Sequence, residues 1–249
     1  TCALPIYPPK TYTDSEIVEM VQKDALKYFW DYAQSNSKLA RERYHTDNPG
    51  QDAHVVSTGG SGFGLMTILV GIKNGYVTKT DAVSRLSTAL NFLQNANRFH
   101  GAWPHWMDGN TGNVIPFSTK DNGGDLVETA FLAQGLICVR EYFKNSSDAT
   151  ELAISKKADD LWKGIEWNWY TQGQNVLYWH WSPDYNFEMN HQLRGFDETL
   201  ITYVLAAASP NYAIEKTVYT EGWARSGAIK TSASQYGIPL IVNHNGANG

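Results

Sequence analysis

The sequence predicts an all-α protein, an (α/α)6 toroid with short β-hairpins in the loops of its cleft. Nearly all-apolar helical segments alternate with amphipathic ones, which is typical of an inner ring of buried helices within an outer ring. The segment 127–131 (VETAF) resembles the segment 197–201 (DETLI) seventy positions later, and a His-Trp pair precedes each of them, at 105–106 and 180–181. This internal repeat favours the toroid over a helical bundle or a solenoid.

Start signals and apolar spacing place the elements in order. The first helix begins with a capping box at 13–16 and is predicted to continue to about residue 35. After a polar loop at 39–56, the Gly-rich stretch 57–62 leads into a helix at 63–72 that is apolar on nearly all sides. Further helices are predicted at 80–99, 124–144, 148–164, 197–208 and from about residue 212, and hairpins at 101–112 and 175–181.

The length and composition are those of one large globular domain or a piece of one, with 249 residues, a net charge of -5 and 42% hydrophobic residues. The mild acidity and the lack of a basic run argue against nucleic acid as a partner. No apolar run has the length of a membrane span, so we expect no membrane partner. The chain holds 9 Trp and 14 Tyr residues, which serve either as packing aromatics or as flat platforms for sugar rings.

The two ends of the chain are interpreted separately. Residues 1–7 (TCALPIY) match the translation of a common sequencing-adapter end, so we interpret them as non-native. Only six or seven helices are predicted in residues 8–249, whereas a closed ring of six pairs has twelve. We therefore expect an incomplete toroid, the N-terminal part of one domain whose C-terminal part is missing.

Carboxylates are concentrated where the predicted inner helices begin. Glycosidic cleavage needs one protonated carboxyl and one ionised carboxylate, and repulsion within a cluster raises at least one pKa. Capping of the helix N-terminus is the competing explanation, and it is the stronger one for Asp121 or Asp125 taken alone. Capping is the weaker explanation for Glu128 and Glu198, which are followed at once by buried helix. The candidates are Asp121, Asp125, Glu128, Asp197 and Glu198.

Two loops combine tryptophan with histidine just before these helices. They look like sugar platforms, although structural packing is at least as good an explanation for each residue by itself. The histidines lack the tight spacing of a local metal-binding motif, so we expect neither a metal nor another cofactor. The candidates for substrate binding are Trp103, His105, Trp106, Trp179, His180 and Trp181.

Five motifs in the same order resemble the bacterial glucoamylase-like family, which includes endo-β-1,2-glucanases. They are STGGSGFGLM at 57–66, FHGAWPHW at 99–106, DNGGDLVETAF at 121–131, YWHWSP at 178–183 and EMN at 188–190. The resemblance runs from about residue 14 onward. It implies an (α/α)6 toroid, an anomer-inverting glycoside hydrolase and export to the periplasm or beyond. By this resemblance, residues 8–249 are the N-terminal part of one glucoamylase-like catalytic domain.

The resemblance also assigns residues. It implies that Asp121, Asp125 and Glu128 line the substrate cleft and that Glu198 is the general acid, while the general base lies beyond this chain. Two positions depart from the family pattern: Asp197 stands where Asn is expected, and Phe187 stands where Trp is usual. Three further residues are candidates for substrate binding: Glu188 and Asn190 of the EMN motif, and the basic residue Arg194 near the aromatic loops.

The functional prediction is a glycoside hydrolase that acts on β-linked glucan, with β-1,2-glucan as the expected substrate and a monomer as the expected full-length state. Two alternatives stay open. One is a non-catalytic glycan-binding toroid. The other is a polysaccharide lyase of the same fold, which would need a Tyr, His or Arg base and an acidic sugar; the scarcity of basic residues beside the aromatic loops disfavours it.

Overall fold

The computed structural model describes residues 11–240 and residue 242. The interpretation of residues 1–7 as non-native therefore lies outside the described residues. The described part is rich in helix, with short strands between the helices. In chain order the elements are α1 Asp14–Trp30, β1 Val55–Ser57, α2 Thr58–Lys73, α3 Lys79–Asn95, β2 Trp106–Asp108, β3 Val114–Ile115, β4 Gly124–Asp125, α4 Leu126–Phe143, α5 Ala149–Lys163, β5 His180–Trp181, α6 Leu200–Ala208, β6 Ser234–Gln235 and β7 Ile238–Pro239.

The first helix confirms its predicted start but not its predicted end. Thr13 and Glu16 form the capping box, in which each side chain accepts a hydrogen bond from the other residue's backbone N–H. The helix ends at Trp30, so the prediction of helix to residue 35 is wrong. The side-chain oxygen of Gln34 accepts hydrogen bonds from the backbone N–H groups of residues 36 and 37, which stabilises a turn there instead.

Helices α2 and α4 form the buried centre of the described fold. They approach so closely that a Cβ on Gly62 would overlap the carbonyl oxygen of Phe131, and one on Gly135 would overlap the carbonyl oxygen of Gly62. The amphipathic helices α3 and α5 pack against this pair and against each other, and α6 packs on α4. The predicted alternation of buried and amphipathic helices is therefore present from α2 to α5. Among the described residues, no helix combines the length and apolar character needed to cross a membrane.

The strands pair differently from the prediction. Strands β1, β2 and β3 form an antiparallel sheet in that order. The hairpin predicted at 101–112 is therefore formed slightly later in the chain, by β2 and β3. The remaining strand, β1, comes from the end of the predicted polar loop. The hairpin predicted at 175–181 is wrong, because β5 pairs with β4 instead. In that pair Gly124 lies opposite Trp181 and Asp125 lies opposite His180. This pairing brings together two loops that are far apart in the sequence.

The segment before α6 departs from the predicted repeat. Helix α6 begins at Leu200, so Asp197 and Glu198 precede the helix, whereas Glu128 lies in the first turn of α4. The Asp197 carboxylate accepts hydrogen bonds from the backbone N–H and the hydroxyl of Thr199, at 2.9 and 2.6 Å, and this local turn competes with helix. The helix predicted from about residue 212 begins later, at residue 216, and most of it is the π-helix Val218–Trp223.

Candidate active site

Asp125 lies at the junction of β4 and α4 and has two sets of partners. Its side chain is 0% exposed. One carboxylate oxygen accepts hydrogen bonds from the backbone N–H groups of Val127 and Glu128, at 3.0 and 2.9 Å. The other lies 2.9 Å from Nδ1 of His105 and 3.6 Å from Nε2 of His180. The capping explanation therefore holds for one oxygen. The other oxygen belongs to a cluster with the two histidines, and a catalytic role for Asp125 stays a prediction.

His180 joins the two buried aspartates. Its Nε2 atom lies 3.2 Å from Oδ2 of Asp121, whose side chain is almost as deeply buried as that of Asp125. Adjacent residues of a strand point to opposite faces, so His180 faces the carboxylates while Trp181 faces away from them. Within the described residues, Oδ1 of Asp121 and Nδ1 of His180 are buried without a hydrogen-bond partner. Buried polar atoms without a hydrogen-bond partner lower the stability of the folded protein, so this cluster indicates a functional rather than a stabilising role.

The glycine pair in the DNGGD motif permits this arrangement. A Cβ on Gly123 would overlap the carbonyl oxygen of Trp181, and a Cβ on Gly124 would overlap the hydroxyl of Tyr170. Both positions therefore require glycine for β4 to approach β5 and the residues beneath it. The two glycines of the DNGGD motif, which helped to locate the site in the sequence, are therefore needed for the close contact between β4 and β5.

His105 is held between Asp125 and an exposed aromatic ring. Burial lowers the pKa of His105, but the hydrogen bond and charge of Asp125, together with the charges of Glu128 and Asp121, outweigh it and raise the pKa overall. The imidazole stacks on the ring of Phe117 at 4.2 Å between centroids. Phe117 is 51% exposed and also contacts Trp106, which makes it a candidate sugar platform that the sequence analysis missed.

Glu128 is bound by the N-terminal end of α2. Its Oε2 atom accepts a hydrogen bond of 2.7 Å from the backbone N–H of Gly59 and lies 3.5 Å from Oγ of Ser57. Burial, followed by the charge of Asp125, raises the pKa of Glu128, and the charge of Glu198 adds to this; His105 and the Gly59 N–H act in the opposite direction. The Gly-rich stretch 57–62 therefore belongs to the site. The sequence of this stretch predicted the start of a buried helix but gave no indication of this contact.

The raised pKa of Glu128 has a consequence for stability. Between the ordinary value of 4.5 and the raised value, the folded protein binds more protons than the unfolded chain, so Glu128 lowers the stability as the pH rises through this window. We expect Glu128→Gln, which can still accept the Gly59 hydrogen bond, to raise the melting temperature of the full-length protein at pH 7. The difference should shrink as the pH falls through this window and vanish well below the ordinary value of 4.5.

Glu141→Gln is the control for this comparison. The Glu141 carboxylate accepts hydrogen bonds from Lys144 and Arg140, which lower its pKa, so its removal should not stabilise the protein at pH 7. Thermal unfolding of the parent and both variants across the pH range measures the effect. A Glu128→Gln protein that is less stable than the parent at pH 7 would contradict the proposed environment of Glu128.

Glu198 lies on the open side of the cluster. The residue is exposed, and its charge acts on Glu128, which places the two carboxyls within electrostatic reach of each other. The neighbouring Asp197 is engaged with Thr199, so the departure from the family pattern at 197 is accommodated by a local turn. The assignment of Glu198 as general acid stays a prediction.

The tryptophan candidates fall into different environments. Trp103 is 0% exposed and donates its indole N–H to the carbonyl of Leu93, so the prediction that it binds substrate is wrong and structural packing explains it. Trp106 is half-buried beside Phe117. Trp179 is half-buried, with its ring nearly parallel to that of His180 and 4.8 Å from that of His191. Trp181 contacts His100 on the other side of β5.

The later substrate-binding candidates lie at the edge of the site. Glu188 is exposed and forms an ion pair of 2.5 Å with Lys120, which ties the loop before β4 to the loop after β5. Asn190 is exposed with a positive φ of 50°. Arg194 donates to the side chain of Gln192 and to the backbone carbonyl of residue 221, a structural role visible without any substrate. Substrate binding by these three residues stays a prediction.

Three residues of the cluster could together hold a metal ion. The ligand atoms of His105, Asp121 and Asp125 lie within 4.8 Å of one another. The expectation that the protein binds no metal relied on the spacing of histidines along the sequence, whereas the fold brings His105 together with two aspartates from a separate segment. A metal ion bound here would have to use the imidazole nitrogen of His105 and the carboxylate oxygen of Asp125, two atoms that are hydrogen-bonded to each other in this structure. The absence of a metal or other cofactor therefore stays a prediction.

Comparison with known proteins supports the family. A family model described as "Putative glucoamylase" matches residues 190–248. The chain is 46% identical over 215 residues to the exo β-1,2-glucooligosaccharide sophorohydrolase (non-reducing end) of Parabacteroides distasonis, a match that covers 85% of this chain and 29% of that protein. The chain is a relative of the glucoamylase-like proteins. The resemblance carried by the five sequence motifs is thereby confirmed.

Solved structures of glucoamylase-like relatives share the fold. The endo-β-1,2-glucanase from Chitinophaga pinensis, solved as a sophorotriose and glucose complex, is 52% identical with a TM-score of 0.92 over 95% of this chain and 57% of its own. A structure described as a putative glucoamylase from Bacteroides fragilis is 48% identical with a TM-score of 0.93 over 97% of this chain and 58% of its own. The chain thus spans less than two thirds of the length of these relatives.

Proposed function

We propose that the full-length protein is a glycoside hydrolase that cleaves β-linked glucan, with β-1,2-glucan as its substrate. The observation that carries the proposal is the cluster of Asp121, Asp125 and Glu128 around two histidines, in which one carboxyl has a raised pKa. Glycosidic cleavage needs a carboxyl that keeps its proton near an ionised one. The names of the relatives, a β-1,2-glucooligosaccharide hydrolase and a β-1,2-glucanase, support the choice of linkage.

We further propose that Glu128 and Glu198 share the proton used in the reaction. Asp121 and Asp125 are buried and engaged with histidine, so in this proposal their carboxylates shape the electrostatic field of the cleft rather than transfer protons. Glu128 is fixed through Oε2 by the Gly59 N–H, whereas Glu198 is exposed and free to reach a glycosidic oxygen. A substrate that covers this pair removes water from it, which favours a proton shared by the two carboxyls. Glu198 is the donor in this proposal.

The stereochemical proposal is inversion of the anomeric centre. An inverting hydrolase activates water with a second carboxylate placed roughly 6.5–9.5 Å from the acid, which leaves room for the water molecule. We propose that the rest of the full-length protein contributes this base, as the resemblance implies. Export to the periplasm or beyond, also implied by the resemblance, would bring the protein to a polymeric substrate.

The fold proposal is that α2 and α4 belong to the inner ring of an (α/α)6 toroid and α3 and α5 to its outer ring. Two features support it: the close contact between α2 and α4, and the position of the β4–β5 pair at the end where α4 begins. In this arrangement the carboxylate cluster lies at the cleft, between the helix starts. Residues 8–249 would then be the N-terminal part of the catalytic domain.

The experiment that tests the function is a product profile of the full-length protein against glucans of known linkage. We expect reducing ends to appear with β-1,2-glucan and to exceed those from β-1,3-, β-1,4- and α-1,4-glucans by at least about a hundredfold. Saturable binding without products would instead support the non-catalytic alternative. Products that absorb ultraviolet light, formed from an acidic polysaccharide, would support the lyase. Either result would overturn the proposal.

A further inference from the structure

A cavity that includes Trp169 in its lining lies on the side of β5 that Trp181 faces, away from the carboxylate cluster. Its volume is about 420 Å³, within the range of small-molecule sites. Three aromatic and three polar residues line most of it: Trp169, Phe187, Tyr212, Glu166, Asn168 and Gln172. We propose that this cavity is a second glycan-binding site, which holds a glucosyl segment of the same polymer outside the catalytic cleft. The inference rests on the proposed function for the class of its ligand.

Alternation along β5 separates the two sites. His180 points to Asp121 and Asp125, while the ring of Trp181 lies 4.9 Å from that of His100 and 6.4 Å from that of Trp169. Trp181 therefore contacts a residue of the cavity lining, while no residue that lines the cavity belongs to the carboxylate cluster. A polymer bound in the cavity would be held close to the cleft.

The indole of Trp169 is fixed before any ligand arrives. It stacks on the imidazole of His100 at 3.7 Å between centroids and 13° between planes. His100 is held in turn by Glu166, through a 3.1 Å contact with the carboxylate and a hydrogen bond from the Glu166 backbone N–H. A ring fixed in this way loses little conformational entropy on binding, which favours affinity.

The exposure of Trp169 sets it apart from a packing residue. Trp167, two residues earlier in the same 3-10 turn, is 0% exposed, whereas Trp169 is 42% exposed. A large indole that is supported by a stacked ring and also open to solvent has the form of a platform for an apolar sugar face. Trp167 accounts for packing in this turn, so packing does not require Trp169.

The polar groups of the cavity suit a neutral, hydroxyl-rich ligand. The side-chain amides of Asn168 and Gln172 make no hydrogen bond to other described residues, and each offers both donors and acceptors. Among the described residues that line the cavity, Glu166 is the one charged group, and it would repel an anionic ligand. This combination favours neutral glucosyl units over an acidic polysaccharide or a phosphorylated ligand.

Glucan binding by a full-length protein that carries Glu198→Gln, to suppress cleavage, tests the inference. We expect Trp169→Ala in this background to weaken retention by β-1,2-glucan in a native affinity gel by about fivefold to tenfold. Trp169→Phe should restore a large part of the binding, because it keeps a stacking face. Tyr142→Ala, which removes an exposed aromatic ring from α4, should leave retention unchanged.

The outcomes separate the inference from the function on which it rests. Retention of Trp169→Ala equal to that of its parent, with cleavage by the wild-type protein intact, would overturn the second site and leave the hydrolase proposal standing. Equal losses in Trp169→Ala and Tyr142→Ala would also overturn it, because they would show a general effect of removing exposed rings. A wild-type protein that neither binds nor cleaves any glucan would refute both proposals.

Discussion

Glu198→Gln is expected to lower kcat of the full-length protein on β-1,2-glucan by about a hundredfold to ten-thousandfold, the range of general acid catalysis. An amide has the size of a carboxyl but cannot give up a proton to the glycosidic oxygen. Glu198 is exposed and precedes α6, so the exchange should not disturb packing. Release of reducing ends measures the rate, and thermal unfolding checks that the fold is retained.

Glu215→Gln is the matched control, since Glu215 is also an exposed glutamate in the same part of the chain but lies outside the carboxylate cluster. It should retain full activity. Unchanged turnover in Glu198→Gln would refute the assignment of the donor. A loss of activity in Glu128→Gln but not in Glu198→Gln would assign the role of proton donor to Glu128, the carboxyl whose pKa is raised in the free protein.

Asp125→Ala is expected to lower the free energy of unfolding by about 4 kcal/mol, the combined effect of a lost helix cap and a broken buried pair. The carboxylate caps α4 through one oxygen and faces His105 and His180 through the other. Denaturant unfolding of the full-length variant measures the loss.

Asp148→Ala isolates the contribution of the histidines. Asp148 caps α5 through hydrogen bonds to the backbone N–H groups of Thr150 and Glu151, the same pattern as Asp125, but it is exposed. Its loss should cost only about 1 kcal/mol. Equal losses in the two variants would show that the pairing with histidine contributes nothing to stability.

The stabilisation from the His105 pair should also depend on pH. The raised pKa of His105 means that this contribution is fully present below the ordinary value of 6.5 and is lost as the pH rises through the raised value. The deficit of Asp125→Ala should therefore shrink at alkaline pH towards that of the cap alone. The deficit of Asp148→Ala, which involves no histidine, should stay constant over the same range.

The sequence alone located the carboxylate cluster, because its signals are local. Asp125 follows a Gly-Gly pair and begins a buried helix, and both the turn chemistry and the helix start can be recognised from neighbouring residues. The caps at Thr13 and Asp125 were predictable for the same reason. The order of buried and amphipathic helices followed from their apolar spacing.

The parts that could not be predicted depend on contacts between distant segments. The pairing of β4 with β5 sets His180 beside Asp121, and no feature of either segment specifies that pairing. Trp103 and Trp106 lie three residues apart, yet Trp103 is completely buried while Trp106, the first residue of β2, is half-buried. The similarity between 127–131 and 197–201 suggested equivalent helix starts, but the turn at Asp197 shifts Glu198 outside α6.

The anomeric form of the first product is the most direct test of the central claim, that this carboxylate cluster hydrolyses β-1,2-glucan with inversion. Proton NMR during the first minutes of the reaction of the full-length protein distinguishes the two anomers before they interconvert. We expect new reducing ends to appear first as the α-anomer and to be absent with Glu198→Gln. A β-anomer as first product, or no reducing ends from β-1,2-glucan, would contradict the account.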